Sequence, residues 1–198
     1  EINHLAHKLA HPTEIIIPTH FDTQLAKPLM RKRAIFHKID GLHGHVHLHP
    51  HIRPKTVSNP PKVMVRRLLG DGIHDSDEIL QIPENWLEGL SIFTADENEV
   101  TGNPWNLIQN VANMDGVITQ SVTLASEAVL LGVPTLLISK AKRGFLDRLK
   151  SDGYPLFVAK EKDESILAQW LAGIHLTSEL ELPDWPNTRS ELLEIIKH

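Results

Sequence analysis

From Lys62 onward, apolar residues fall in short continuous runs, with stretches of helical period between them. The runs Val63–Leu69, Leu90–Thr94, Gly116–Thr119, Pro134–Ser139 and Leu156–Val158 read as strands buried on both faces. Trp105–Met114 carries Leu107, Ile108, Val111 and Ala112 at helical spacing. Thr123–Leu131 reads as a helix stopped by Gly132, with Pro134 just behind it. Gly144–Lys150, Ser165–Leu171 and Arg189–Ile196 read as further helices. Strand and helix alternating in this way predict the α/β class, with a doubly wound parallel sheet of Rossmann-like type over residues 62–198.

Residues 1–61 follow a different pattern. Ile2, Leu5, Ala6 and Leu9 predict one amphipathic helix ending near Pro12. Glu14–Ile17 predicts a short buried strand before Pro18, with no earlier strand to pair with. Residues 19–62 hold Pro28, Pro50, Pro54, Pro60 and Pro61, several His and little periodicity, and read as an irregular interdomain connection. The expected division is therefore 1–61, the end of an N-terminal domain with a linker, and 62–198, a C-terminal domain. The first residue is Glu1 rather than Met, which suggests a processed chain or part of a longer one.

Composition narrows the function classes. The chain has 198 residues and no Cys, which excludes disulfides, thiolate metal sites and cysteine nucleophiles. No apolar run approaches the ~18 residues of a membrane helix, and no signal-peptide pattern opens the chain, so a cytoplasmic location is expected. Residues 1–60 hold 8 Lys and Arg against 4 Asp and Glu, whereas residues 61–198 hold 12 against 21. A mildly basic start on an acidic body does not describe a nucleic-acid binder.

Three segments carry candidate chemistry. At Thr119-Gln120-Ser121-Val122-Thr123 a strand ends and a helix begins. Ligands of open α/β sheets bind outside such carboxyl ends, and a helix N-terminus suits phosphate. Ser121 and Thr123 add hydroxyls there, and the Glu127 carboxylate could take the two hydroxyls of a ribose. Equally, Ser121 or Thr123 could be a plain N-cap and Glu127 an acid near the favourable end of the dipole. Arg66 and Arg67 close the first predicted strand of this domain and could hold an anion bidentately. His74, in a glycine-flanked loop beside Asp75, could exchange protons with a substrate, or be an ordinary loop residue. The nine acids and no Lys or Arg of residues 71–100 read as a solvated face, and Trp86 and Trp105 as packing residues.

Histidines dominate the third segment, where His43, His45, His47, His49 and His51 recur at period two. On a strand they would share one face and could bind zinc or nickel; a polar linker is the plainer reading. The run Ile39-Asp40-Gly41-Leu42-His43-Gly44-His45-Val46-His47-Leu48 also resembles the first-strand His-x-His motif of metal-dependent amidohydrolases. That fold needs a barrel of typically ~250 residues. Only 147 residues follow His51, with His74, His175 and His198 as later ligands.

The order of Leu48-His49-Pro50, Val65-Arg66-Arg67, His74-Asp75, Met114–Thr119 and Thr123–Ala128 followed by Leu131-Gly132-Val133-Pro134 resembles a family with a domain of unknown function. That family is related to UDP-N-acetylglucosamine 2-epimerase and to glycosyltransferases of the GT-B type. The resemblance runs from about Pro18 to Val158 and implies two Rossmann-like domains with the active site between them. It implies that Ser121 and Thr123, next to Gln120, face the diphosphate and that Glu127 holds the ribose. It also implies that Arg66 or Arg67 and His74 face the cleft. The catalytic candidates are then His74 and Asp75. The nucleotide-sugar candidates are Arg66, Arg67, Gln120, Ser121, Thr123 and Glu127.

The expected function is nucleotide-sugar handling, as glycosyl transfer or epimerisation, with a UDP-sugar as substrate and no metal or other cofactor required. The expected partners are the nucleotide sugar and either a missing N-terminal domain or a second copy of the chain, with no nucleic acid and no membrane span. Two alternatives stand beside this. One is a non-catalytic module in surface polysaccharide metabolism, and the other a metal-dependent hydrolase built on the histidines.

Overall fold

A computed structural model of the chain describes residues 12–19, 21, 35–50, 56–68, 80–96, 106–176, 179 and 181–197. The predicted helix over residues 2–11 lies outside them, as do Trp105, His51, His74 and Asp75. The chain divides into two compact units, Glu1–Leu48 with Trp185–His198, and His49–Asp184.

In the first unit, β1 (Glu14–Pro18) pairs in parallel with β2 (Ile35–Ile39), with Ile16 opposite His37. The expected irregular connection thus contains a strand. It also contains a short helix, α1 (His43–His47). This corrects the reading of the histidines as one face of a strand. Two residues along a helix turn the side chain by roughly 200°, so His43, His45 and His47 cannot share a face. His45 is buried, its Nδ1 accepts the Leu42 N–H at 2.8 Å, and its ring meets Trp185 edge-on at 4.8 Å. His43 and His47 stay exposed. The last helix, α6 (Thr188–Lys197 in chain order), belongs to this unit and packs on β2 and α1. Its Thr188 Oγ1 donates to the Asp40 carbonyl at 2.7 Å, and its Glu191 carboxylate accepts the Asp40 N–H at 3.2 Å.

The second unit is a five-stranded parallel sheet of β3 (Lys62–Arg66), β4 (Ser91–Thr94), β5 (Gly116–Thr119), β6 (Thr135–Ile138) and β7 (Leu156–Ala159). Its strand order is β4-β3-β5-β6-β7. The helices are α2 (Leu107–Ala112), α3 (Val122–Leu130), α4 (Gly144–Ser151) and α5 (Glu164–His175). All five predicted strands are present, though β3 stops at Arg66 and α2 is shorter than the predicted Trp105–Met114.

Both faces of the sheet are covered, so the fold is α/β, Rossmann-like and doubly wound. Side chains alternate across each strand. Val63, Val65, Ile118, Leu136 and Ile138 point to one face and pack with Trp86 of a 3₁₀ turn (Glu84–Leu87) and with Trp170 and Ile174 of α5. Both tryptophans anchor as well as fill. Trp170 Nε1 donates to the Pro134 carbonyl at 2.9 Å, and Trp86 Nε1 to Glu164 at 3.0 Å. Gly116 makes this closeness possible, because a Cβ there would lie 2.7 Å from Ile174 and 2.8 Å from Trp170. Met64, Val117 and Leu137 point to the opposite face and are fully buried. α3 contacts both β5 and β6 and packs against α2, and α4 contacts β7.

Candidate functional site

The strand order places a topological switch point inside the second unit. The chain moves from β3 outward to β4, then returns past β3 to β5 and continues the other way. Connections on opposite faces leave a crevice between the carboxyl ends of β3 and β5, where open α/β sheets bind ligands. Arg66 ends β3 and pairs in register with Thr119, which ends β5. The sequence candidates Arg66, Arg67, Gln120, Ser121 and Thr123 therefore meet at this one crevice.

On the β3 side both arginines are anchored. Arg66 Nη1 donates to the Ala95 carbonyl at 3.1 Å. The Arg67 backbone N–H donates to Asp96 Oδ1 at 2.7 Å and its Nη1 to Oδ2 at 3.2 Å. Glu84 adds a looser contact to Arg67 at 3.8 Å. Asp96 and Glu84 belong to the acidic stretch expected to be merely solvated. Two of its acids instead fix the position of Arg67.

On the β5 side, Gln120 is buried and bridges two backbone segments. Its Oε1 accepts the Leu68 N–H at 2.7 Å, and its Nε2 donates to the Leu80 carbonyl. Its own N–H donates to the Arg66 carbonyl at 3.3 Å. Gln120 thus ties the exit of β3 to the segment that leads back into the 3₁₀ turn. The sequence makes Gln120 a nucleotide-sugar candidate, and nothing in its local pattern announces this bridging role.

Ser121 is the N-cap of α3, with its Oγ accepting the Leu124 N–H at 3.3 Å. Its own N–H is taken by Thr119 Oγ1 at 3.0 Å. This is the capping role left open by the sequence, and it makes the helix start sharply at the end of β5. α3 is buried along nearly all of its length, from Leu124 to Ala128 and beyond, except at Val122, Thr123 and Glu127. Thr123 and Glu127 are four residues apart and so lie one above the other on the same helix face. Glu127 is the single charged residue of α3. Thr123 and Glu127 are therefore the two polar positions of one face of α3, a helix whose amino end starts at the crevice.

A solved wall teichoic acid polymerase is similar to this chain. The structure is that of TagF in a variant form. The match covers 94% of this chain and 60% of that one, at 12% identity and a TM-score of 0.40. A likeness of this strength bears on neither activity nor ligand. No family model matches the chain, and no curated protein sequence matches it.

Among the described residues, no three or more His, Asp or Glu side chains gather in a way that could hold a metal ion. His43, His45, His47 and His49 are all described, and none of them enters such a group. No described helix is long and apolar enough to cross a membrane.

Proposed function

We propose that this chain binds a nucleotide sugar at the crevice between β3 and β5 and serves glycosyl transfer or sugar epimerisation. The observation that carries the reading is the polar stripe on α3, exposed at Thr123 and half-buried at Glu127. Thr123 and Glu127 are its polar members on an otherwise buried helix, and that helix starts at the switch point. In this reading the amino end of α3 and the Thr123 hydroxyl receive the diphosphate, whose charge the helix dipole favours. The Glu127 carboxylate accepts hydrogen bonds from the ribose hydroxyls. Arg66 and Arg67 form the positive wall on the β3 side, and Gln120 holds the crevice in shape. His74 and Asp75 remain candidates for proton transfer. A departing nucleoside diphosphate needs its developing charge met by fixed donors, and this scheme uses no metal for that.

The reading is supported by placement: Arg66, Arg67, Gln120, Ser121 and Thr123 lie at the carboxyl ends of β3 and β5 and at the start of α3. It is tested by calorimetric titration of the chain with UDP beside a Glu127→Ala variant. Saturable binding that the variant loses is the expected result. Binding that survives unchanged in the variant removes Glu127 from the site and the ribose reading with it. Binding by a longer protein carrying both domains, with no turnover of any UDP-sugar, would favour a non-catalytic module.

A further inference from the structure

The carboxyl edge of the sheet carries a second concentration of charge that the reading above does not use. Residues 61–198 hold 12 Lys and Arg against 21 Asp and Glu. Yet Lys140, Lys142, Arg143, Arg148 and Lys150 crowd into residues 140–150 beside a single acid, Asp147. Arg148 is committed to Asp152 along α4, at 2.6 Å. Lys140, Lys142 and Arg143 stand exposed on the loop between β6 and α4.

That loop is fixed at its root. The Ser139 N–H donates to the Ala159 carbonyl at 3.0 Å, and Ser139 Oγ accepts the Ala141 N–H at 3.1 Å. Arg143 Nη1 donates to the Lys142 carbonyl at 3.2 Å, which folds the guanidinium back along the loop. The loop also has a definite neighbour. Thr119 pairs in register with Leu137, so β5 and β6 end side by side. The strand that leads into the loop and the strand that leads into the start of α3 are therefore direct neighbours in the sheet. On the far side of that turn, Arg67 already has Asp96 and Glu84 as counter-charges.

We propose that Lys140, Lys142 and Arg143 form a diphosphate-binding loop, and that this loop rather than the Arg66–Arg67 pair meets most of the ligand's phosphate charge. The proposal rests on the nucleotide reading above and deepens it by naming the residues that hold the diphosphate. A diphosphate is long enough to touch two neighbouring turns. One end would receive the free N–H groups of α3, and the other the two ammonium groups and the guanidinium. Charge-assisted bonds of this kind are about twice as strong as neutral ones. Arg143 can also engage two phosphate oxygens at once. A three-cation loop in the acidic stretch of residues 61–198 further gives the approaching anion a local target.

The test is calorimetric titration of the chain with inorganic pyrophosphate, with sulfate and with UDP. Each is repeated on Lys140→Gln/Lys142→Gln/Arg143→Gln and on Lys140→Arg/Lys142→Arg. Melting temperatures confirm that these exposed substitutions leave the fold intact. The expected result is saturable pyrophosphate binding, tighter than sulfate, that falls with added salt. It weakens by about tenfold or more in the glutamine variant, the equivalent of one charge-assisted bond, and survives in the arginine variant. No saturable binding of pyrophosphate overturns the proposal, as does equal affinity in wild type and glutamine variant, or equal affinity for sulfate. Pyrophosphate binding through the loop without UDP binding would keep the loop and overturn only the nucleotide reading.

Discussion

Asp96 grips Arg67 twice, accepting its backbone N–H at 2.7 Å and its guanidinium Nη1 at 3.2 Å. The two residues lie just past the ends of adjacent strands, so this pair staples β4 to β3 beyond the last ladder bonds. Asp96→Ala leaves the Arg67 N–H without this acceptor and the guanidinium with only the looser Glu84 contact. Loss of an acceptor for a half-buried donor costs about 1–3 kcal/mol. The expected outcome is a lower urea midpoint, equivalent to that loss of unfolding free energy, with Asp96→Asn, which keeps an oxygen acceptor, falling between. Identical midpoints for all three proteins would show that the pair contributes nothing.

Gln120 makes a second clasp, and one that couples stability to the site. Gln120→Ala strands both the Leu68 N–H and the Leu80 carbonyl, which a buried side chain now satisfies. A destabilisation of about 2–4 kcal/mol is expected, because two partners are left unmet rather than one. Gln120→Glu keeps the acceptor for Leu68 but turns the Leu80 donor into a repelling oxygen, so it restores little. Denaturation curves of the two variants check this, and a Gln120→Glu protein as stable as wild type would contradict the bonding pattern.

Two glycines with the same backbone conformation separate strain from crowding. Gly41 has φ of +90° and Gly89 of +75°. Beside Gly89 a Cβ would meet nothing within 4 Å, whereas beside Gly41 it would collide with Thr188 Oγ1 and Pro186. Gly89→Ala should therefore cost only the left-handed backbone penalty, about 1–2 kcal/mol. Gly41→Ala adds the displacement of the start of α6 from the turn that Thr188 caps, and about 3 kcal/mol or more is expected. Trp185 lies against His45 in the same cluster, so its fluorescence should change in Gly41→Ala and not in Gly89→Ala. Equal losses in the two variants would mean that the approach of α6 does not matter.

How far the sequence announces all this depends on where each residue gets its conformation. The strands β3, β5, β6 and β7 are legible because a parallel sheet covered on both faces demands unbroken apolar runs. The turn at Thr119–Thr123 is legible because a serine N-cap at a strand end is a local feature. α1 is not legible. Leu42-His43-Gly44-His45-Val46-His47-Leu48 alternates as a strand would, and its helix is closed by the bond from Leu42 to a histidine ring packed on Trp185, far along the chain. β2 is hidden for a similar reason, since His37 and Lys38 interrupt its apolar run and only pairing with β1 makes it a strand. The same distance effect conceals the partners of Arg67 and Gln120. Asp96, Glu84 and Leu80 look like ordinary loop residues until the sheet brings them to the crevice.

Asp163 links stability to pH at the start of α5. Its carboxylate accepts the Ser165 hydroxyl at 2.7 Å, the Ser165 N–H at 2.9 Å and the Ile166 N–H at 3.4 Å. These bonds, the Ser165 hydroxyl first among them, hold its pKa below the ordinary 3.8, against a small opposing effect of burial. A carboxylate with a lowered folded-state pKa binds its proton more readily when unfolded. Its contribution is therefore fully present above the unfolded value of 3.8 and is lost as pH falls through the lower, folded value. Since Trp170 and Ile174 of α5 fill the core, fraying of this helix should be felt by the whole second unit. Asp163→Asn keeps an N-capping oxygen but has no proton to gain. Thermal melts of the two proteins from about pH 6 down to about pH 2 should diverge at neutral pH and converge at the acid end. Parallel curves over that range would remove Asp163 from the acid response.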